Sequence, residues 1–492
     1  IGELVRHVDR QGNATTLTYG PADRNVHQFT PLTSITDAAG QTVSVSSDGV
    51  GRVTGFTLPD GRTWGLAYNA AGDLTSLSYP DGTTRSFTYD AAHRMLTAVD
   101  PNGVTYLVNE YDDAGRVTKQ LDAESNVRTF EYGDGQTTYT DNEGQDTVFA
   151  FDDKSRITGI TNAAGDTAQW TFTPTGEVKS HTDEAGRTWT YTYDGDGNLL
   201  TETDPTGAIV EYTYTAEGDV ATVTDLDGDR TETTVYDARG LVTEVQQADG
   251  TTVRFEYDAA GDLTRSILPS GSAITYAYDA RGNLVTSTDP LGRVTTFAYD
   301  AGNRLTSVTD PAGGVTSFAW DAADRLTAST DAEGGVTAYA YDANGQLTSA
   351  TDPTGAVTAY AWDSMARLVT VTDPEGGESS FSYDAEDNLT GTVDPEGGTT
   401  KFLLDDTYRT VGVADPNGGE WKRTYDPTGI LTGSTDPLDA STTFAVDDAG
   451  RPTTTTNATG ASSKVAYDSA GRVVSETDAA GGKTTYTYDL MD

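Results

Sequence analysis

Polar and apolar residues alternate along short stretches of this chain, and each stretch ends in a turn signal. Over Val315–Trp320, Phe318 and Trp320 fall on one face of an extended segment, with small residues on the other. In the stretch that follows, Leu326 and Ala328 are expected to share a face. A period of two among Val, Thr and aromatic residues is typical of a half-buried strand. This part of the chain is therefore predicted to form two consecutive strands.

Two kinds of turn separate the predicted strands. The first reads Asp-x-x-Gly, as in Asp258-Ala-Ala-Gly261, and the second reads Asp-Pro-x-Gly, as in Asp352-Pro353-Thr-Gly355. Asp at the first position, Pro at the second and Gly at the fourth are preferences of a type I turn. The Asp carboxylate can accept hydrogen bonds from backbone amides two residues on. Each unit is predicted to be a β-hairpin, joined by a second tight turn to the next hairpin.

The hairpin unit recurs with a fixed period, which is the signature of a repeat architecture. Twelve two-residue slots lie 21 residues apart in the second half of the chain, and most of them read Tyr-Asp. Further slots can be followed back to Ser47 and Tyr19, with small slips in spacing. The twelve slots are Tyr257-Asp258, Tyr278-Asp279, Tyr299-Asp300, Trp320-Asp321, Tyr341-Asp342, Trp362-Asp363, Tyr383-Asp384, Leu404-Asp405, Tyr425-Asp426, Val446-Asp447, Tyr467-Asp468 and Tyr488-Asp489.

The repeats predict an all-β fold, a continuous antiparallel array of about 23 hairpins. At ~4.8 Å per strand, about 46 strands make a strip roughly 220 Å long, which would close into about one turn of a coil roughly 70 Å across. Residues 1–47 are predicted to be an irregular N-terminal edge, because an insertion lies near Pro21–Pro31, and residues 48–492 to be the regular array. A β-propeller is the alternative, since two repeats approach the length of one blade.

Composition excludes several function classes. The apolar share is only 35%, which fits a thin sheet better than a thick globule. The chain has no Cys, which excludes disulfides and thiolate metal sites, and no apolar run approaches the length of a membrane span. Its formal net charge of -45 disfavours nucleic acid as a partner. The first residue is Ile1 rather than Met, so we expect a piece of a longer protein.

Short motifs that resemble ligand sites are better explained by the repeat. Gly481-Gly482-Lys483-Thr484 lacks the leading Gly of a phosphate-binding loop. Asp194-Gly-Asp196-Gly-Asn198 and Asp225-Leu-Asp227-Gly-Asp229 resemble calcium loops but lack the full twelve-residue pattern with its terminal Glu. Each begins at a turn Asp. We therefore predict no metal, cofactor or catalytic residue, and we keep calcium as the alternative at the two Asp-rich loops.

Single residue types give no stronger signal. The four histidines are scattered without metal-ligand spacing, and no Gly-x-Ser-x-Gly elbow is present. The Tyr and Trp slots are predicted to pack across strands, with sugar binding as the alternative. The histidines are His7, His27, His93 and His181, and the Asn-x-Thr sequons begin at Asn13, Asn388 and Asn457.

The repeat resembles the Rhs/YD-repeat family, whose pattern is close to Tyr-Asp-x-x-Gly-Arg-Leu-Thr-x-x-Thr-Asp-Pro-x-Gly. The stretch from Tyr299 to Gly313 follows it nearly residue for residue, and the likeness extends over essentially the whole chain. The family includes bacterial Rhs polymorphic toxins, Tc toxin B and C components and teneurins. The resemblance implies a strip that spirals into a hollow shell around a toxic C-terminal segment. The self-cleavage motif of the bacterial toxins is not found here, so neither protease nor toxin is assigned to this piece.

From these features we expect a non-enzymatic shell segment of a secreted Rhs-type toxin that encapsulates or presents an effector. Its partners would be a toxin cargo, or the remainder of the same polypeptide, and a delivery machine. A cell-surface adhesion or glycan-binding array is the alternative, because aromatic residues recur on one face. Location outside the producing cell or on its surface follows from the resemblance.

Overall fold

A computed structural model describes residues 3–20, 30–225 and 230–488 of the chain. The described residues form 46 β-strands and no helix, and all the strands belong to one sheet. The predicted all-β class and repeat number are confirmed. The first 23 strands are β1 (Arg6–Val8), β2 (Ala14–Tyr19), β3 (Leu32–Thr36), β4 (Thr42–Ser47), β5 (Val53–Thr57), β6 (Thr63–Tyr68), β7 (Leu74–Ser78), β8 (Thr84–Tyr89), β9 (Met95–Val99), β10 (Thr105–Tyr111), β11 (Val117–Leu121), β12 (Val127–Tyr132), β13 (Gln136–Thr140), β14 (Asp146–Phe151), β15 (Ile157–Thr161), β16 (Thr167–Phe172), β17 (Val178–Thr182), β18 (Thr188–Tyr193), β19 (Leu199–Thr203), β20 (Ile209–Tyr214), β21 (Val220–Asp225), β22 (Arg230–Tyr236) and β23 (Val242–Gln246).

The remaining strands continue with the same lengths and spacing. They are β24 (Thr252–Tyr257), β25 (Leu263–Ile267), β26 (Ala273–Tyr278), β27 (Leu284–Thr288), β28 (Val294–Tyr299), β29 (Leu305–Thr309), β30 (Val315–Trp320), β31 (Leu326–Thr330), β32 (Val336–Tyr341), β33 (Leu347–Thr351), β34 (Val357–Trp362), β35 (Leu368–Thr372), β36 (Glu378–Tyr383), β37 (Leu389–Val393), β38 (Thr399–Leu404), β39 (Thr410–Ala414), β40 (Glu420–Tyr425), β41 (Leu431–Thr435), β42 (Ser441–Val446), β43 (Pro452–Thr456), β44 (Ser462–Tyr467), β45 (Val473–Thr477) and β46 (Lys483–Thr485).

Each strand pairs antiparallel with the strands before and after it in the chain, so the sheet is one long meander. The ladder runs without a break from the β1–β2 pair through β22–β23 to the β45–β46 pair. The first four strands join the same ladder through the β4–β5 pair. A β-propeller is wrong for this chain, because separate four-stranded blades would interrupt the ladder.

A β-bulge occurs where most even-numbered strands meet the next odd-numbered strand. In the β30–β31 pair, Ala319 lies opposite Ala328, whereas Trp320 lies opposite Leu326. The expectation that Leu326 and Ala328 share a face is therefore wrong. An extra residue in one strand shifts the alternation at that point and also bends the strand and increases its twist. The bulges thus give the sheet a repeated source of curvature.

The sheet is thin, as the composition indicates. Ala98 and Ala168 are the buried apolar residues, and no large side chain is fully buried in the described ranges. Most strand residues are half-buried on both faces. The strands are therefore stabilised by ladder hydrogen bonds and neighbour contacts rather than by one deep core, as is typical of repeat architectures.

The strip makes about two turns of a coil. The turn between β9 and β10 contacts the turn between β32 and β33 through Asn102 and Asn344, which lie 242 residues apart. At ~4.8 Å per strand, 23 strands correspond to a ring roughly 35 Å across. The expectation of about one wider turn is wrong, because strand number fixes the length of the strip but not its curvature. We call β1–β23 the first coil and β24–β46 the second coil.

Candidate functional site

Both kinds of turn have the same hydrogen-bonded geometry. In the turn at Asp258, the carboxylate accepts the amide protons of Ala260 and Asp262, both at 2.9 Å, and Gly261 has a φ of 96°. In the turn at Asp352, the carboxylate accepts the amides of Thr354 and Ala356 at 2.8 and 2.9 Å. The predicted turn chemistry is confirmed, and it explains a large share of the acidic residues. Turns after even-numbered strands form the Tyr-Asp edge of the strip, and turns after odd-numbered strands form its Asp-Pro edge.

Arginines connect successive repeats along the Tyr-Asp edge. Arg325 Nε contacts the carboxylate of Asp321 at 2.6 Å, and its Nη1 donates to the carbonyl oxygen of Asp342 in the next repeat at 3.0 Å. The same guanidinium lies 5.4 Å from the ring centroid of Tyr341. Cation–π contacts of this kind recur in most repeats and add to the ion pairs. Nine further arginines lie over an aromatic ring: Arg52, Arg85, Arg94, Arg116, Arg156, Arg367, Arg409, Arg451 and Arg472.

The aromatic slot residue binds the preceding repeat by a hydrogen bond as well as by packing. The Tyr341 hydroxyl donates to the carbonyl oxygen of Leu326 at 2.9 Å. Trp320 replaces this bond with its indole Nε1–H, which donates to Leu305 at 2.8 Å. Tyr and Trp are thus interchangeable in the slot because each has an apolar ring with a donor at its far end. The predicted packing role is confirmed for these residues, and the hydroxyl's structural bond is an addition to it.

The first coil contacts the second along a continuous seam. The Asp-Pro edge of the first coil meets the Tyr-Asp edge of the second, so two edges of unlike sequence face each other. The bonds include the Asn102 amide to Asp342 at 2.8 Å and Arg367 to Glu124 at 2.8 Å. Further seam pairs are Asn13 with Ala260, Arg62 with Asp324, Asp81 with Arg325, Asn142 with Ala385, Asp141 with Tyr408, and Arg187 with Asp426.

Arg187 shows how a seam residue differs from an ordinary turn residue. Its Nε contacts Asp183 of its own turn at 2.6 Å, while its Nη1 lies 3.6 Å from Asp426 of the second coil. It also donates to the Thr428 hydroxyl. Its side chain is only 12% exposed. A guanidinium shared between two carboxylates at this depth is held by charge-assisted hydrogen bonds that surface pairs lack.

Tyr408 contributes a second kind of seam contact. It occupies the turn position that Gly usually holds, with a φ of 64°, a conformation that bulky residues rarely adopt. Its hydroxyl donates to Asp141 of the first coil. Burial, together with that hydrogen bond to Asp141, raises the pKa of the Tyr408 hydroxyl. The residue therefore accepts an unfavourable backbone conformation at a position where its side chain joins the two coils.

The motifs that resemble ligand sites lie in ordinary repeat positions. Gly481 and Gly482 lie in a turn, and Lys483 begins β46, so no helix follows the motif. Asp194 accepts amide protons from Asp196 and Asn198, which uses its oxygens within the turn. No group of three His, Asp or Glu side chains arranged to hold a metal occurs within residues 3–20, 30–225 and 230–488. The second Asp-rich loop, except Asp225, lies outside the described residues.

The histidines lie on separate elements. His7 is an exposed residue of β1. His93 pairs with Asp73 at 2.6 Å, and His181 stacks between Trp170 and Trp189 with centroids 5.0 and 5.5 Å away. His27 is outside the described residues.

The sequon asparagines lie in turns. Asn13 donates its side-chain amide across the seam to Ala260. Asn388 binds Asp384 of its own turn, and Asn457 occupies the Asp position of another. The prediction that the chain has no catalytic or metal residue stays a prediction.

Sequence reasoning did not identify the arginine contacts or the seam. The arginine signal was available, because Arg follows the slot Tyr by five residues in many repeats, as Arg325 follows Trp320. The seam had no such signal. Its partners are more than 200 residues apart, and only the number of strands per turn decides which turns meet.

Comparison with known proteins places this geometry in a family. The sequence profile described as RHS Repeat matches residues 48–105, 172–230, 236–400 and 467–492 in overlapping copies, which is more than half of the chain. The comparison with curated proteins finds no match. No helix capable of spanning a membrane occurs in the part of the chain that the structure describes.

Solved structures with the same fold come from toxin complexes. The crystal structure of TcdB2-TccC3-TEV is similar with a TM-score of 0.67 and 15% identity, covering 95% of this chain and 29% of that one. TcdB2-TccC3-Cdc42 gives 0.66 and 14%, covering 95% and 31%. A Tc holotoxin pore of Photorhabdus luminescens with a mutation in TccC3 gives 0.54 and 14%, covering 94% and 29%. This chain thus spans about a third of the length of these structures, and it belongs to the Rhs-repeat family.

Proposed function

We propose that this chain is a structural wall segment of an Rhs-type toxin shell, which encloses or presents a toxic polypeptide. In this role the wall performs no chemistry of its own. It restricts access to the enclosed segment until the toxin is delivered. The cargo would be part of the same polypeptide or a partner chain, and the assembly would act outside the producing cell or on its surface.

The observation that carries the proposal is the seam. A strip that coiled without lateral contacts would be an open spring, with gaps between neighbouring coils. Here side chains of one coil bond to the next at many positions, from Asn13 to Arg187. A wall that separates two compartments needs this lateral closure.

The similar structures support the choice of cargo. Their titles name TcdB2 joined to TccC3, and one describes a Tc holotoxin pore. A fold in common does not transfer a partner, so the toxin role of this chain rests on our proposal. The slot residues favour a wall over a glycan-binding array, since the Tyr341 hydroxyl is already bonded to the sheet.

A protection assay tests the proposal. A flexible reporter with a protease site is fused after residue 492, and its cleavage rate is compared with that of the free reporter. We expect cleavage to be several-fold slower in the fusion. The seam variant Arg187→Ala/Arg367→Ala should lose this protection, because both arginines bind the other coil.

The matched control is Arg293→Ala/Arg116→Ala. These arginines also pair within their own turns but lie 64% and 52% exposed. The control should retain protection. Cleavage at the free-reporter rate in the unaltered fusion would contradict the proposal, and saturable binding to cell-wall polysaccharide would favour the adhesion alternative.

A further inference from the structure

Arg85 is an exception among the strand arginines near the seam. It belongs to β8, and its guanidinium lies 5.4 Å from the ring centroid of Tyr106 in β10. Its Nε is buried and has no hydrogen-bond partner among the described residues. No ion pair to Arg85 occurs within the described ranges. Burying a charged donor without an acceptor is costly, so such a group is expected to meet a partner.

A neighbouring position shows what kind of partner is missing. Arg128 lies in β12, at the strand position equivalent to that of Arg85 in β8, and its Nη2 contacts Glu386 of the second coil at 3.5 Å. Glu386 is the third residue of its turn. Two repeats earlier in the chain, the third residue of the corresponding turn is Asn344. The carboxylate that Arg128 finds across the seam is therefore absent opposite Arg85.

The space next to Arg85 is a cavity. It has a volume of about 360 Å³ and lies between the two coils, lined by Arg85, Asp100, Tyr106, Gln346 and Met365 among others. Gln346 presents a second buried donor, because its side-chain Nε2 has no hydrogen-bond partner in the described part of the chain. The cavity thus contains two unused donors, one of them on a cation.

The acidic residue of the cavity does not use these donors. Asp100 accepts the side-chain amide of Asn344 at 2.5 Å and the backbone amide of Val104 at 2.8 Å. The Tyr106 ring and the Met365 side chain add apolar surface to the wall. An acceptor with two oxygens and a compact apolar body would match both the donors and the wall.

We propose that this seam cavity binds a compact carboxylate. One carboxylate oxygen accepts from Arg85 Nε and the other accepts from the Gln346 amide, which reproduces in a ligand the contact that Glu386 gives Arg128. The carboxylate would come from a free organic acid or from the side chain of an acidic peptide. The inference does not depend on the proposed function, since it concerns only the chemistry of the cavity.

Isothermal titration calorimetry with two probes tests the proposal. Sodium succinate represents a free acid, and N-acetyl-glutamate N-methylamide represents an acidic peptide side chain. We expect saturable binding of at least one probe with one site per chain, and the tighter probe identifies the source. Arg85→Met should weaken binding by about 10- to 100-fold, the usual effect of losing a hydrogen bond to a charged group.

Two further variants separate the site from general effects. Gln346→Glu supplies a carboxylate within the cavity, so it should prevent probe binding and raise the melting temperature. Arg265→Met is the control, because Arg265 is an exposed strand residue that pairs with Glu256 at 3.3 Å, and it should bind the probe normally. Absence of saturable binding to the unaltered chain, or equal affinity in Arg85→Met, would overturn the proposal.

Discussion

The two coils use the same turn in two different environments. Arg187 and Arg293 each hold the fifth position of an Asp-Pro-edge turn, and each contacts the turn Asp at 2.6 Å. Arg187 is 12% exposed and reaches the second coil, whereas Arg293 is 64% exposed. Identical local geometry therefore has a local role at one position and a tertiary role at the other.

The sequences of the two Asp-Pro edges reflect this difference. In the first coil the fifth turn residue is often long and polar, as in Gln41, Arg62 and Arg187. From residue 314 onward it is Gly or Ala in every turn. A Cβ at Gly377 would come 2.6 Å from the Asp373 carboxylate, so the open edge also packs closely upon itself. Long side chains thus occur where another coil must be reached.

Acid should affect both edges and have the largest effect. Bonds from the Arg94 amide, the Arg156 guanidinium and the Thr354 hydroxyl lower the pKa of Asp90, Asp152 and Asp352, respectively. A carboxyl whose folded pKa is depressed stabilises the fold above its unfolded pKa of about 3.9, and this contribution is lost as pH falls through the folded value.

We therefore expect a constant melting temperature from pH 7 to about pH 5 and cooperative loss of β-structure below about pH 4. Circular dichroism during an acid titration measures this. A fold that stays intact at pH 2 would show that the turn carboxylates do not stabilise the sheet.

Removing one arginine from each edge tests the comparison directly. Arg187→Ala should destabilise the chain by about 2–4 kcal/mol, because Asp183 and Asp426 lose a partner at low exposure. Arg293→Ala should cost only about 0–1 kcal/mol, as expected for an exposed pair. Urea denaturation of both variants measures the difference, and equal losses would show that the seam adds nothing.

Tyr408 tests the seam through a neutral hydroxyl. Tyr408→Phe should cost about 1–3 kcal/mol, since the half-buried bond to Asp141 is lost and the ring is kept. Tyr408→Gly also removes the bond but relieves the backbone at φ 64°, so it should cost less than the Phe variant would if strain dominates. Thermal denaturation of the pair separates the bond from the backbone strain.

The slot hydroxyl should have the smallest effect and no dependence on the edge. Tyr341→Phe in the second coil and Tyr132→Phe in the first each remove one bond to a strand carbonyl, worth about 0.5–1.5 kcal/mol. Hydrogen exchange of the amides in the adjoining strands measures both losses. A much larger effect at Tyr341 would mean that slot residues also support the seam.

The sequence by itself determined the local structure. Alternation, turn residues and the 21-residue period depend on neighbours within one or two repeats, so strands such as Val315–Trp320 and turns such as Asp258–Gly261 are readable from the chain. The conserved chemistry of these short segments also accounts for the thin sheet and for the resemblance to the Rhs family.

Only the tertiary structure decided the curvature of the strip and everything that follows from it. Small bends at each bulge accumulate over many strands, and a slight change per strand would move every seam partner. The pairing of Arg187 with Asp426, the strained Tyr408 and the unfilled position opposite Arg85 therefore depend on where one coil comes to lie upon the other. No local pattern contains that information, because it is set by the sum of small twists along the whole sheet.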